Sequence, residues 1–251
     1  MKYIIGGNWK MNGLRSQGVA FLEEMEELGC SNAAPDVVLF PPFTIISDMA
    51  EHLEGTGIQL GGQDIFYEEK GAFTGEVSPA MLRDAGATWF IAGHSERRHV
   101  IGETDDIVRK KLQFGLEEGL SGILCVGELQ EEREEGRTEE VVRRQVSSAL
   151  HDLPAASADN LVIAYEPVWA IGTGLTATPE EAQRIHCLIR EWAADIRDSS
   201  FADELRIQYG GSVKPGNAAD ILSRPDVNGA LVGGASLQAD SFMKIIEAAG
   251  Y

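Results

Sequence analysis

Eight short apolar runs recur along the chain, most of them without polar alternation. They occupy residues 3–6, 37–40, 58–60, 89–92, 122–126, 161–165, 206–209 and 229–232. A strand that is apolar on both sides of its pleat needs cover on both faces. A parallel sheet wrapped in helices provides that. Amphipathic stretches lie between the runs. Phe21, Leu22, Met25 and Leu28 follow helical spacing, and 105–120 places Ile107, Val108, Leu112, Leu116 and Leu120 on one face. Thr178-Pro179-Glu180-Glu181 reads as a helix start, with a Thr cap, Pro in the first position and acids in the first turn. Ile185, Leu188, Ile189, Trp192 and Ile196 continue its apolar face, and a last helix is expected to begin near Ser236 and carry Phe242, Ile245 and Ile246.

Eight strand–helix units in 251 residues average about 31 residues each, the size of unit that closes a (β/α)8 barrel. A doubly wound open sheet is the structural alternative. No Ser-, Gly- or Pro-rich linker divides the chain, so residues 1–251 are expected to form one domain. The acidic stretch 128–140 reads as a solvated helix face in which Arg133 and Arg137 pair with neighbouring glutamates.

Charge narrows the function. There are 40 Asp and Glu against 21 Lys and Arg, a formal charge of −19. That argues against broad nucleic-acid or anionic-membrane binding, which needs concentrated basic residues. No apolar run is long enough for a signal peptide or a membrane span. Cys30, Cys125 and Cys187 are few, odd in number and far apart, as expected of reduced thiols in the cytoplasm.

In a barrel the chemistry sits at the C-terminal ends of the strands. Here those ends read Asn8-Trp9-Lys10, Gly93-His94-Ser95-Glu96, Glu166-Pro167, Gly210-Gly211-Ser212 and Gly233-Gly234. Each alone has an ordinary reading: a solvated Lys, a structural His, a tight Gly turn. Converging on one rim, they suit a site. A carboxylate can take a proton from carbon beside a carbonyl, and a neutral imidazole can hydrogen-bond the carbonyl oxygen as charge builds. Glycine turns can aim backbone N–H groups at a phosphate. Other patterns carry less. Gly172-Thr173-Gly174-Leu175-Thr176-Ala177 matches G-x-G-x-x-A but does not join a strand directly to a helix. His94-Ser95-Glu96 lacks the P-C-x-x-C of a zinc deaminase, and His94, Glu96 and His99 lack the spacing of a helical metal site.

Motif blocks in consistent order then identify a resemblance. They are Gly7-Asn8-Trp9-Lys10-Met11-Asn12, Gly71-Ala72-Phe73-Thr74-Gly75-Glu76, Gly93-His94-Ser95-Glu96-Arg97-Arg98, Cys125-Val126-Gly127-Glu128, Ala164-Tyr165-Glu166-Pro167-Val168-Trp169 with Ala170-Ile171-Gly172-Thr173-Gly174, and Tyr209-Gly210-Gly211-Ser212-Val213. Essentially the whole chain resembles the triosephosphate isomerases. The resemblance implies interconversion of dihydroxyacetone phosphate and glyceraldehyde 3-phosphate, with no cofactor or metal. It implies Glu166 as base, neutral His94 as carbonyl polariser, and Lys10 as stabiliser of negative charge. Asn8 would orient substrate oxygens, and Glu96 would support His94 and Lys10. Gly172, Ser212, Gly233 and Gly234 would hold the phosphate, under a lid at 167–177.

Residues 63–76 are long and apolar for a strand–helix connection, carrying Ile65, Phe66, Tyr67 and Phe73. Such a loop docks on its own barrel or elsewhere. The resemblance implies a homodimer in which it enters the neighbouring subunit, Thr74 approaching that subunit's Lys10 and His94, with Glu76 pairing to an Arg such as Arg97. The alternatives are another sugar-phosphate barrel enzyme or a non-catalytic phosphate-binding barrel. A Schiff-base aldolase needs a Lys on an inner strand, and the run at 161–165 has none.

Overall fold

Every apolar run becomes a strand. The structure, a computed structural model, describes residues 1–154, 156–171 and 176–250. The strands are β1 Ile4–Asn8, β2 Asp36–Phe40, β3 Ile58–Gly62, β4 Trp89–Ala92, β5 Ser121–Val126, β6 Leu161–Tyr165, β7 Arg206–Tyr209 and β8 Gly229–Val232. All are parallel and pair in chain order. β8 returns to β1, from Ile4↔Gly229 to Gly7↔Val232, and closes the barrel. The expected (β/α)8 architecture is therefore the observed one.

Alternate residues face opposite ways, and both ways are buried. Ile4, Val38, Phe40, Ile91, Ile123 and Val162 fill the barrel interior. Ile5, Val37, Leu39, Phe90 and Leu124 pack outward under the helices. This is why the runs lack polar alternation. β1 and β3 run two residues beyond the expected ends, through glycines that weaken a strand by propensity alone. At Gly61 the reason is packing: a Cβ there would lie 2.3 Å from the Phe40 ring.

The helices cover this sheet. They are α1 Arg15–Glu27, α2 Ile46–Ala50, α3 Pro79–Asp84, α4 Asp105–Glu117, α5 Gln130–Glu134, α6 Thr138–Leu150, α7 Pro179–Ile196, α8 Ser199–Glu204, α9 Ala218–Leu222 and α10 Ala239–Ala248. Thr178 caps α7 as expected, its hydroxyl accepting from Glu181 N at 3.2 Å. Three expectations need correction. α4 stops at Glu117, and the chain reverses at left-handed Gly119 so that Leu120 packs beneath β5. Leu28 lies past α1 and is 40% exposed, because the chain turns away at left-handed Gly29. The last helix starts at Ala239. Residues Gly234–Leu237 form one 3₁₀ turn, tied back where Ser236 N and Oγ donate to Gly233 O at 2.8 and 2.7 Å. Among the described residues, no helix is long and apolar enough to cross a membrane.

One buried histidine gives the fold a pH signature. His186 on α7 is fully buried against Tyr165 and Tyr209. Its Nδ1 faces Asp226 O at 3.2 Å, and its Nε2 has no hydrogen-bond partner. A carbonyl partner requires hydrogen on Nδ1, which leaves Nε2 unprotonated. Burial pushes this imidazole down from 6.5 to about 4. Because the folded value is depressed, the contribution is full above about pH 6.5 and is lost as pH falls toward 4. The size is on the order of 3 kcal/mol. Denaturant melts of wild type and His186→Phe from pH 7 to 4 should converge as pH falls. A gap independent of pH would remove this account.

Candidate active site

All the polar residues singled out at the described strand ends reach one rim. Asn8, Lys10, His94, Glu96, Glu166, Ser212, Gly233 and Gly234 line a cleft of about 660 Å³ over the C-terminal mouth of the barrel. Gly172 lies outside the described residues, with Thr173, Gly174 and Leu175 of the glycine-rich motif. The proposed lid is thus described only at its two ends.

The backbone at Lys10 is held in an uncommon shape. Its φ is +54°, a left-handed conformation that costs a non-glycine residue about 1–2 kcal/mol. Two side chains clamp it. Asn8 Oδ1 accepts from Lys10 N at 3.0 Å, and Gln63 Nε2 donates to Lys10 O and to Phe40 O, each at 2.8 Å. The turn aims the ammonium across the cleft, where Nζ meets Glu96 Oε1 at 2.6 Å.

His94 and Glu166 form the centre. Glu96 N donates to His94 Nδ1 at 3.2 Å, which requires a lone pair there and puts the ring hydrogen on Nε2. That nitrogen lies 3.3 Å from Glu166 Oε1. The other oxygen, Oε2, accepts from Ser95 N at 2.9 Å. Glu166 is 2% exposed and His94 6% exposed. Glycines make room for Glu166, Gly210 beside its side chain and Gly127 beside its backbone carbonyl. A Cβ on Gly210 would lie 2.7 Å from Glu166 Cγ, and one on Gly127 would lie 1.7 Å from Glu166 O. The arrangement offers a buried carboxylate, an imidazole N–H and an ammonium around one space. Proton abstraction beside a polarised carbonyl is the chemistry this suits.

Both described ends of segment 167–177 are anchored in the barrel. After Pro167 the chain makes the 3₁₀ turn Val168–Ala170. Trp169 Nε1 donates to Glu128 Oε1 at 2.8 Å, and Tyr165 Oη donates to the same carboxylate at 3.2 Å. At the far end, Ala177 N donates to Tyr209 Oη at 3.2 Å. Glu128 corrects the reading of 128–140 as one solvated face: it is fully buried. Burial raises its carboxyl above the usual range, and the Trp169 and Tyr165 hydrogen bonds oppose that rise. The rest of the stretch is split at left-handed Gly136 into α5 and α6.

A buried charge cluster behind the site also escaped the sequence reading. Lys111 Nζ contacts Asp64 Oδ1 at 2.7 Å and Glu103 Oε1 at 2.6 Å. Arg97 reaches the same two carboxylates, at 2.9 Å to Asp64 and 2.5 Å to Glu103. Burial lifts Asp64 to about 6, against the pull of Lys111. The cluster fixes the base of the 63–76 loop to α4. It also occupies Arg97 within its own chain. Among the described residues, no three His, Cys, Asp or Glu side chains gather as a metal site.

Comparison with known proteins decides the family. The family model for triosephosphate isomerase matches residues 3–249. The chain belongs to the triosephosphate isomerase family. Curated triosephosphate isomerases align along almost their full length. That of Rhodopirellula baltica is 48% identical over 248 residues, covering 99% of this chain and 98% of the relative. That of Carboxydothermus hydrogenoformans is 48% identical over 246 residues, 98% of each chain. That of Herpetosiphon aurantiacus is 47% identical over 243 residues, 97% of each chain. The triosephosphate isomerase resemblance read from the motif blocks is thus the family assignment. Ser95, Gln63, Glu128 and Tyr209 were not assigned site roles from sequence. Ser95 and Glu128 stand inside quoted motif blocks, and Gln63 directly follows β3, so position was the available signal.

Proposed function

We propose that the protein interconverts dihydroxyacetone phosphate and glyceraldehyde 3-phosphate through an enediolate. The observation that carries this reading is the buried Glu166–His94 pair, 3.3 Å apart beneath the Lys10 ammonium, in a member of this family. Glu166 exchanges Ser95 N–H for substrate and removes a proton from the carbon beside the carbonyl. His94 Nε2–H hydrogen-bonds the oxygen on which charge builds, and Lys10 adds a fixed positive charge. Asn8 orients substrate oxygens, and Glu96 holds Lys10 and His94 in place. His94 Nε2–H gives its proton to the charged oxygen and takes one back from the neighbouring hydroxyl, while Glu166 returns its proton to the adjacent carbon, so all protons are accounted for and no cofactor is consumed. Gly172, Ser212, Gly233 and Gly234 hold the phosphate through backbone N–H groups. A barrel that only bound phosphate has no use for a buried carboxylate facing an imidazole. Turnover of glyceraldehyde 3-phosphate by the purified protein, followed in a coupled assay, tests the reading. Failure to turn over at saturating substrate overturns it.

The reading extends to one (β/α)8 domain over residues 1–251, working in the cytoplasm as a homodimer. Exposed apolar side chains support the dimer: Met11 is 96% exposed, Val100 78% and Ile101 64%. They border a groove of about 460 Å³ that also reaches Lys10, His94 and Glu96. Residues 68–76 of the loop are exposed, and Phe73 packs on Phe66 in a tilted arrangement with ring centroids 4.5 Å apart. Thr74 of one subunit enters that groove in the other, bracing Lys10 and His94. Because Arg97 is held by Asp64 and Glu103, Glu76 reaches it only by joining that network. Thr74→Arg should give monomers with kcat lower by about tenfold or more, a loss of about 1.4 kcal/mol or more in transition-state stabilisation. Sedimentation beside the assay checks both halves. A fully active wild-type monomer at micromolar concentration refutes the dimer.

A further inference from the structure

We infer that Lys214 is a steering and phosphate-positioning residue, one that supplies the uncompensated positive charge the cleft needs to attract a dianion. This rests on the triose phosphate reading above and deepens it. The charged side chains lining the cleft are Lys10, Glu96, Glu166 and Lys214. Lys10 is already paired with Glu96. The Lys214 ammonium, by contrast, makes no ion pair or hydrogen bond among the described residues, and residues 172–175 carry no charged side chain. Without Lys214 the lining holds one more carboxylate than ammonium, inside a protein of net charge −19. A phosphate dianion approaching that cleft meets repulsion from the whole molecule and from its mouth.

Placement of Lys214 is built into the fold. It follows Ser212 on the turn after β7, and Asn217 ties that turn together. Asn217 Oδ1 accepts from Lys214 N at 2.7 Å, and Asn217 Nδ2 donates to Ser212 O at 3.0 Å. Ala218 N donates to Lys214 O at 3.0 Å. The backbone is thus fixed beside Ser212, while the side chain stays exposed on the rim. A rim charge of this kind acts mainly on association, and its action falls with salt.

The test compares wild type, Lys214→Gln and Lys214→Arg at about 20 mM and about 1 M ionic strength, where the screening length falls to about 3 Å. At low salt Lys214→Gln should lose about fivefold in kcat/KM, carried by KM, and Lys214→Arg should keep wild-type values. At high salt the three should coincide. Calorimetry with inorganic phosphate provides an arm independent of turnover, and the Kd should weaken by a similar factor at low salt alone. A Lys214→Gln deficit below 1.5-fold at low salt in both arms overturns the proposal. So does a deficit that persists undiminished at high salt, which marks a structural role. If wild type binds phosphate with this Lys214 dependence yet isomerises nothing, the isomerase reading falls and this one stands.

Discussion

Glu166→Gln is expected to lower kcat by on the order of 10²–10⁴-fold, the range for loss of a general base. The substitution preserves side-chain size, so the packing against Gly210 is retained. An amide oxygen can still accept from Ser95 N. The amide nitrogen then faces His94 Nε2, donor against donor, where a carboxylate oxygen lay 3.3 Å away. The base is gone and its hydrogen-bond partner is repelled, yet the barrel has lost nothing it needs to close. Turnover measured beside thermal melting separates the two effects. A loss of less than tenfold with the melting point retained removes Glu166 from the role of base.

Lys10→Met should cost on the order of 10²–10³-fold in kcat/KM, as for loss of one preorganised group aimed at developing charge. Met has a similar stem and meets the same left-handed backbone, held by the Asn8 and Gln63 clamps. What disappears is the ammonium, and Glu96 is left as an unpaired carboxylate in the cleft. Part of the loss is therefore repulsion from Glu96, and it should appear in KM. The double variant Lys10→Met, Glu96→Gln isolates that part: KM should recover and kcat should not. If Lys10→Met stays within threefold of wild type in kcat/KM, Lys10 is only a surface charge.

The barrel was legible because its signal is local. Each strand is a run of apolar residues buried on both faces, and no distant partner is needed to recognise it. The rim residues were legible for a related reason, since strand ends bring Lys10, His94, Glu166 and Ser212 together once the barrel is granted. The features that were missed depend on partners far along the chain. Glu128 sits in an acidic stretch, and its burial is offset by hydrogen bonds from the Trp169 indole and the Tyr165 hydroxyl, contributed by the next strand and its loop. Asp64, Arg97, Glu103 and Lys111 are separate charges in the sequence, and their cluster exists only after β3 and α4 are docked. The last helix begins at Ala239 rather than near Ser236 because the Ser236 hydroxyl and N–H bond backward to Gly233 in a separate 3₁₀ turn. A lone Lys214 carries no pattern of its own.

The closing pair of the barrel has a consequence for how the molecule is made. Ile4 of β1 finds its partner Gly229 on β8 only after the intervening chain has been synthesised. Until then the growing sheet has open edges on both sides, able to pair with other chains. The site shares this timing. Lys10 comes from just after β1, and Gly233 from just after β8; a Cβ on Gly233 would lie 3.6 Å from Lys10 Cε. Any nascent or truncated chain lacking β8 has the Glu166 carboxylate and the His94 imidazole but lacks the Gly233 side of the cleft beside Lys10. Competence to bind is therefore acquired in one late step, when the two ends of the sheet meet.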